Sequence, residues 1–282
     1  MVETDWKKMI GLGVAGNFAG HLEQAGEASD FKDLKIEDAR APKGVYPFFV
    51  PAAASDEGSH FLHCYPLSSD QIRLGSAQEN HQIEPEVSLV CDLEYQDERV
   101  TGIHPREAFA HNDCSIRREG AKKISEKKNW GEASKGTARH GIPIDRFEAG
   151  GVLDHFRIAS YLLRNDELHS YGVDSAVSSY SYIYGELIDW LIGRLNDQKD
   201  EGPLEDISSW LAIAGRPSQA LISIGATRYT DFGETTFLEP GDQSIVVVYD
   251  GRQYDEAAIR QLVRSDEETA TPAVSLLRQE VV

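Results

Sequence analysis

Between Tyr184 and Leu195 the apolar side chains Tyr184, Leu187, Ile188, Leu191, Ile192 and Leu195 recur at three- and four-residue steps. That spacing puts them on one helical face and predicts the clearest amphipathic α-helix of the chain. Elsewhere the apolar runs are short and read as strands. Residues 83–95 (IEPEVSLVCDLEY) form one, which passes a turn at Asp97-Glu98 and continues into Val100–Ile103. Phe156–Leu163 and Glu167–Tyr171 flank the turn pair Asn165-Asp166 and predict a hairpin. Ala220–Ile224 and Ser244–Tyr249 are further strands. The second is launched from Leu238-Glu239-Pro240-Gly241-Asp242, where Pro then Gly favours a type II turn. Residues 9–23 are glycine-rich and then helical in pattern. Residues 42–68 carry Pro42, Pro47, Pro51 and Pro66 around short extended pieces, Tyr46–Val50 and Phe61–Tyr65. Residues 114–150 read as a long polar loop, a length that usually signals function or mobility. A helix at 255–264 followed by a polar tail closes the pattern. Strands outnumber helices, so the expected class is a β-rich α+β protein. A boundary near residue 75, where proline density falls, separates a small N-terminal region (1–75) from the main body (76–282).

The 282 residues allow about two domains and a large core. Charge narrows the choice of partner. Lys and Arg number 28 against 47 Asp and Glu, a formal charge of −19. Nucleic acid and anionic membrane are held chiefly by Lys and Arg, so neither is an expected partner. Cys64, Cys91 and Cys114 are odd in number and contain no CxxC pair, which argues against a disulfide framework. Met1–Trp6 holds acids where a secretion signal needs a basic and then an apolar run, and no stretch reaches the ~20 apolar residues of a membrane span. A soluble, cytoplasmic protein is expected.

Four constellations bear on chemistry. In Glu84-Pro85-Glu86 the carboxylates lie two residues apart, on one face of a strand. Such neighbours repel and need a shared proton, a cation or water, and a solvated strand face is the plain alternative. The flanking Val87, Leu89, Val90 and Leu93 are core-like, and Asp113 lies in Phe109-Ala110-His111-Asn112-Asp113-Cys114-Ser115. Three carboxylates without a matching Cys/His set describe a hard-cation site, for Mg²⁺ or Mn²⁺ with Ca²⁺ as a third candidate. Next, residues 117–146 hold nine basic residues and four acids, +5 in a −19 chain. This is either a solvated loop or a pocket for an acidic substrate beside the cation. Third, Gly11-Leu12-Gly13-Val14-Ala15-Gly16 spells GxGxxG, with Asp33 and Asp38 at ribose-binding distance. A dinucleotide site would require a strand–turn–helix there, and no βα alternation follows. Last, His21 follows glycines and precedes Glu23, which suits a positioned base or a structural histidine. His60, His63 and Cys64 read as structural. No GxSxG, P-loop or HExxH occurs.

In their order along the chain, these pieces resemble the fumarylacetoacetate hydrolase superfamily over most of its length. Gly16-Asn17-Phe18-Ala19-Gly20-His21 matches its G-x-N-Y-x-x-H segment with a shifted glycine register. Tyr46-Pro47-Phe48-Phe49-Val50-Pro51 matches a P-x-F-x-K-P piece with Val50 for lysine, and Glu84-Pro85-Glu86 matches the E-x-E strand. Asn112-Asp113-Cys114-Ser115-Ile116-Arg117 matches N-D-x-S-x-R, with Arg118 where an acid is usual, and Lys135-Gly136-Thr137 matches a later lysine. Gly225-Ala226-Thr227 and Leu238-Glu239-Pro240-Gly241-Asp242 match the late G-T loop and the L-x-P-G-D turn. The resemblance implies a mixed β-sandwich roll, usually dimeric, with a divalent metal on Glu84, Glu86 and Asp113. It implies hydrolase or lyase chemistry on a small anionic 2-oxo or 1,3-dicarbonyl acid: acylpyruvate C–C hydrolysis, oxo-acid decarboxylation or tautomerisation. His21 with Glu23 and Lys135 would be catalytic, and Asn17, Arg117 and Thr227 would bind substrate. The glutamate that supports the histidine in hydrolases falls at Gln24, which opens two alternatives: a divergent metal-binding relative without turnover, or a nucleotide-dependent oxidoreductase using Gly11, Gly13 and Gly16.

Overall fold

The computed structural model describes residues 5–27, 31, 38–51, 60–76, 78–118, 120–265 and 270–282. Strand β1 (Ile10–Ala15) leads into the one-turn helix α1 (His21–Gln24), and β2 (Gly44–Phe49) returns antiparallel to β1. The short strands β3 (Leu67–Ser68), β4 (Gln71–Ile72) and β5 (Asn80–Gln82) precede the two longest, β6 (Pro85–Gln96) and β7 (Arg99–Asn112). β8 (Ser115–Arg117), β9 (Lys135–Thr137) and β10 (Ile142–Pro143) follow, then the hairpin β11 (Phe156–Arg164) and β12 (Glu167–Ala176). Helices α2 (Tyr184–Asp197) and α3 (Ile207–Ile213) lead to β13 (Gln219–Ser223) and α4 (Asp231–Thr235). β14 (Gln243–Asp250), α5 (Glu256–Arg264) and β15 (Val274–Val281) complete the order.

The strands form a larger mixed sheet in the order β2-β1-β13-β6-β7-β9-β3, with β10 beside β7, and a second sheet in the order β12-β11-β14-β15-β4. Only β1–β13, β3–β9 and β4–β15 pair in parallel among the described residues. The larger sheet runs across residue 75, since β1 and β2 from before it join β13 and β6 from after it. One apolar core lies between the sheets: Leu12, Val87, Leu89, Ala108 and Ala110 from one meet Ile158, Leu162, Val246, Val248 and Leu277 from the other. The alternate residues of β14, Ile245, Val247 and Tyr249, pack under Ile259 and Val263 of α5. With both faces covered, β14 is apolar from Ile245 to Tyr249 rather than alternating. Leu187, Leu191 and Leu195 of α2 are fully buried in the main core, each worth roughly 1.5–3 kcal/mol.

Turn chemistry follows the sequence closely. Asp97 and Glu98 both take positive φ (48° and 68°), as do Asn165 and Asp166 (51° and 65°), the left-handed pair that closes a two-residue hairpin. Gly241 has φ 91°, and Asp242 N–H donates to Glu239 O at 3.1 Å, closing the Pro-Gly turn.

Four expectations need correction. Of the GxGxxG glycines, Gly11 and Gly13 lie on β1, inside the sheet, and Gly16 follows the strand in a turn with φ 72°. A Cβ on Gly11 would overlap the Phe48 ring and one on Gly13 the Tyr46 ring, so these glycines make room for aromatic rings of β2. Asp38 is bonded to Arg40 and to the Tyr182 hydroxyl, and Asp33 lies outside the described residues. Two of the three glycines are thus spent on packing within the sheet. The polar tail is strand β15, whose Gln279 is wholly buried. Phe61–His63 is a 3-10 turn rather than a strand, with His63 Nδ1 2.8 Å from Val50 O. Residues 114–150 are not one loop: they contain β8, β9, β10 and a 3-10 turn at Ile124–Lys127. Gly13→Ala should therefore cost at least ~1–3 kcal/mol by overpacking. A urea midpoint unchanged from wild type, at equal slope, would show that the Tyr46 ring can move aside.

Candidate active site

Strand register assembles the site. In the β6–β7 hairpin Pro85 faces Asn112 and Glu86 faces His111, so the residues just beyond, Glu84 and Asp113, also face each other. Asp113 N–H donates to Glu84 O at 3.0 Å, and the Asn112 side-chain oxygen accepts from Glu84 N–H at 3.2 Å. On the other side of β7, Asn112 faces Gly136 and His111 faces Thr137, which brings Lys135 beside Asp113. Glu84, Asp113 and Lys135 thus lie in one cross-strand row, and Glu86 joins Glu84 by the two-residue strand repeat. The ligand atoms of Glu84, Glu86 and Asp113 all lie within 4.8 Å of one another, and all three residues are buried. The expected convergence of these carboxylates is what the fold produces.

Cations surround them. Lys135 Nζ donates to Asp113 Oδ1, and the Tyr46 hydroxyl donates to Asp113 Oδ2. Lys128, just after the 3-10 turn, places Nζ 2.5 Å from Glu84 Oε2 and 2.6 Å from Asp113 Oδ2. Arg117 on β8 reaches Glu27 at 2.8 Å and Glu84 Oε1 at 2.6 Å, and Lys127 Nζ reaches Glu27 at 2.8 Å. The Arg117 guanidinium thus pairs with a carboxylate on each side of it, Glu27 and Glu84. Glu86 Oε2 accepts from Gly225 N–H at 2.9 Å. Lys135 and Asp113 are fully buried, and Lys128 is 2% exposed.

Burial alone would push every carboxyl here upward. For Glu84, Lys128 and then Arg117 outweigh burial and push it down to about 2. For Asp113, Lys128 and then Lys135 likewise outweigh burial and hold its carboxyl well below the usual range. Glu86 is pushed well above the usual range by burial and by the Asp113 charge, which its neighbour Lys128 only partly offsets. Burial, with the nearby Lys128 charge, lowers Lys135. His21 is also lowered by burial, so its neutral form prevails at pH 7. His21 Nδ1 lies 2.9 Å from Thr227 O, which can only accept, so Nδ1 carries the proton and Nε2 the lone pair.

The remaining predicted residues divide. Thr227 is buried and orients His21 through its carbonyl. Arg117 is committed to protein: besides its two glutamates it donates to Gln82 at 2.6 Å and to the Tyr229 hydroxyl at 2.9 Å. Asn17 spends its side chain on Tyr182 N, Tyr182 O and Ile224 O, which staples loops together rather than facing a ligand. Glu23 is exposed, because residues two apart on helix α1 point to different sides, and the buried carboxylate of this segment is Glu27. Gln24 clamps Tyr229, accepting from its N–H at 2.9 Å and donating to its O at 3.1 Å. Lys127, Lys128 and Tyr46 were not singled out from sequence as site residues. For the two lysines the one signal was the +5 stretch itself, nine cations in an acidic chain.

The donor set fits a hard divalent cation: three buried carboxylates whose ligand atoms share one small volume.

A family model described as a family of unknown function, DUF5718, matches residues 27–281. No curated protein matches the chain in sequence. Among solved structures, the chain is similar to 2-keto-3-deoxy-D-arabinonate dehydratase complexed with magnesium and 2,5-dioxopentanoate, with a TM-score of 0.53 and 14% identity over 96% of this chain and 72% of that one. For 5-carboxymethyl-2-hydroxymuconate delta-isomerase from Mycobacterium smegmatis the values are 0.51 and 14%, over 97% and 78%. A protein from Yersinia pestis CO92 named for the fumarylacetoacetate hydrolase family gives 0.50 and 11%, over 99% and 95%. The resemblance to the fumarylacetoacetate hydrolase superfamily is borne out as a shared fold, which is what identities this low carry. Among the described residues, no helix is long and apolar enough to cross a membrane.

Two outcomes follow from the electrostatics. Glu84 stabilises the fold above its unfolded value of about 4.3, and that contribution disappears as pH falls through about 2. Stability measured by urea titration should decline across that window, and Glu84→Gln should flatten the decline. Glu86 has the opposite sign, since a raised folded value disfavours its ionised form. In chelator at pH 7, Glu86→Gln should raise Tm, by roughly 2–4 °C per ~1 kcal/mol, and should remove any stabilisation by divalent ions. A lowered Tm would refute this reading of Glu86.

Proposed function

The chain belongs to the DUF5718 family, and from that membership and the shared fold we propose that it is an enzyme acting on a small anionic 2-oxo or 1,3-dicarbonyl acid. The reaction class is C–C bond hydrolysis of an acylpyruvate type, or decarboxylation or tautomerisation of an oxo acid. The observation that carries this reading is the row Glu84–Asp113–Lys135, buried together with a neutral, oriented His21. Glu84, Glu86 and Asp113 would hold Mg²⁺ or Mn²⁺, with Ca²⁺ the remaining candidate. When bound, such an ion supplies positive charge to adjacent carbonyl and carboxylate oxygens.

The chain's own residues supply the rest. His21, protonated on Nδ1 by its bond to Thr227 O, presents Nε2 as the base for a water or a substrate carbon. Lys135 sets an ammonium beside the triad, where it counters charge that develops on an enolate oxygen. Arg117 holds Glu27 and Glu84 in place, with all three of its guanidinium nitrogens committed. A homodimer in the cytoplasm is the assembly that this reading implies.

A second reading, the same fold without turnover, is favoured by one observation. His21 has neither Gln24 nor Glu23 as a carboxylate partner, since Gln24 is bonded to the Tyr229 main chain and Glu23 is exposed. Assay of acylpyruvates and oxaloacetate with Mg²⁺ and Mn²⁺ separates the two. Under the first, Lys135→Ala should lower kcat by roughly 10²–10³-fold, and Lys135→Arg should restore it only in part. His21→Gln should abolish hydrolysis yet leave divalent binding intact. Wild type inert on the whole panel selects the second reading, and full hydrolysis by His21→Gln refutes the assigned base.

A further inference from the structure

We propose that the Lys128 ammonium is the resident cation of the carboxylate triad, and that a divalent ion enters only by displacing it. The inference rests on the reading of Glu84, Glu86 and Asp113 as a cation site and adds how that site is controlled. Position is the first argument. Lys128 Nζ lies 2.5 Å from Glu84 Oε2 and 2.6 Å from Asp113 Oδ2, two of the oxygens that the triad would offer. Hard divalent ions sit ~2.0–2.6 Å from carboxylate oxygens. A metal on this pair of oxygens and the ammonium therefore compete for one point, and the two cannot share it.

Charge is the second argument. Glu27, Glu84, Glu86 and Asp113 are four buried carboxylates, and Arg117, Lys127, Lys128 and Lys135 are the four cations around them. Counted at their formal charges, the eight groups cancel. Adding a divalent ion to them would leave a surplus of two positive charges away from water, which is costly in a medium of low polarisability. Withdrawing Lys128 halves that surplus, and a monoanionic oxo acid cancels the remainder. The balanced exchange is a divalent ion and an anionic substrate against one ammonium.

Anchoring is the third argument. Lys128 N–H donates to Ser125 O at 3.0 Å, and the next residue, Asn129, donates its side-chain amide to Phe48 O at 2.8 Å and Cys64 O at 2.9 Å. The main chain is fixed on both sides of Lys128, so the tether delivers the ammonium to the same place each time. Nζ also lies 5.3 Å from the centre of the Tyr46 ring, a favourable face for a cation. Displacement then means rotation of one side chain, with the backbone staying in place.

The test compares Mn²⁺ binding to the full-length wild type and to Lys128→Gln, by calorimetry and by the electron paramagnetic resonance of free Mn²⁺. If the ammonium-filled form is favoured 99 to 1, the variant binds about 100-fold more tightly than wild type. Its Tm should fall in chelator and recover with Mn²⁺, whereas the wild-type Tm barely responds. Equal, tight binding by both proteins overturns the proposal and leaves the metal site standing. Failure of both Lys128→Gln and Lys128→Met to bind Mn²⁺ overturns the proposal together with the metal reading. Should Lys128→Gln not fold in chelator, refolding from urea is the readout: recovery with Mn²⁺ supports the exchange, and no recovery refutes it.

Discussion

Asp113 is fully buried, and it can stay ionised there only because Lys128 and Lys135 grip its two oxygens while the Tyr46 hydroxyl adds a third donor. An isolated carboxylate in such a place would take up a proton or pull the chain apart. Each of the three donors comes from a different part of the fold: Tyr46 from β2, Lys128 from the turn after Ile124–Lys127, Lys135 from β9. The larger sheet must therefore be complete, from β2 through β7 to β9, before this charge is compensated. Removing one partner of such a buried group typically costs 3–5 kcal/mol, more than most single contacts in the core.

That dependence explains details that otherwise look incidental. Gly11 and Gly13 leave space on β1 for the rings of Phe48 and Tyr46, and Tyr46 must lie flat there for its hydroxyl to reach Asp113. Gly136 has no Cβ because Gln279 of β15 presses against it, and Gln279 in turn accepts from the Asn112 amide at 3.1 Å. The second sheet thus fixes the residue beside Asp113 through a buried amide. The same amide donates to Gln71 O at 2.9 Å, which ties β4 and β15 to the end of β7 where the charges gather.

The legible part of this arrangement was local or periodic. The two-residue step from Glu84 to Glu86, the turn pairs at 97–98 and 165–166, and the apolar face of α2 follow from the geometry of single elements, and the sequence carries them openly. The triad was legible because a hairpin converts sequence separation into cross-strand contact once its turn is placed. What escaped depends on partners that only tertiary structure supplies. Ser275 and Gln279 gave β15 the look of a solvated tail, yet both are buried, Ser275 donating to His140 O at 2.7 Å. Lys127 and Lys128 look like any exposed pair of lysines until the turn before them points both inward. Glu23 was preferred to Glu27 by proximity to His21 along the chain, whereas burial selects Glu27.

Buried ion clusters are poor devices for stability. Replacing one by apolar residues of similar volume is often neutral or stabilising, by about 1–4 kcal/mol. Eight charged side chains gathered where the ends of β6 and β7 meet β8, β9 and the Ile124–Lys127 turn therefore do little to hold the fold together, and the proposed cation site accounts for their being there. Glu86 strengthens the point: its environment disfavours its own charge, so at neutral pH the fold carries an unfavourable group that an apolar or amide residue would relieve. Ammonium groups satisfy Glu84 and Asp113 and only partly offset the repulsion on Glu86. Two of the three carboxylates are compensated and the third is not, so any further positive charge is favoured most beside Glu86. The formal neutrality of the whole and the strain at Glu86 are compatible because Lys128 satisfies two oxygens on one side of the triad, and a larger charge at the same point would satisfy all three.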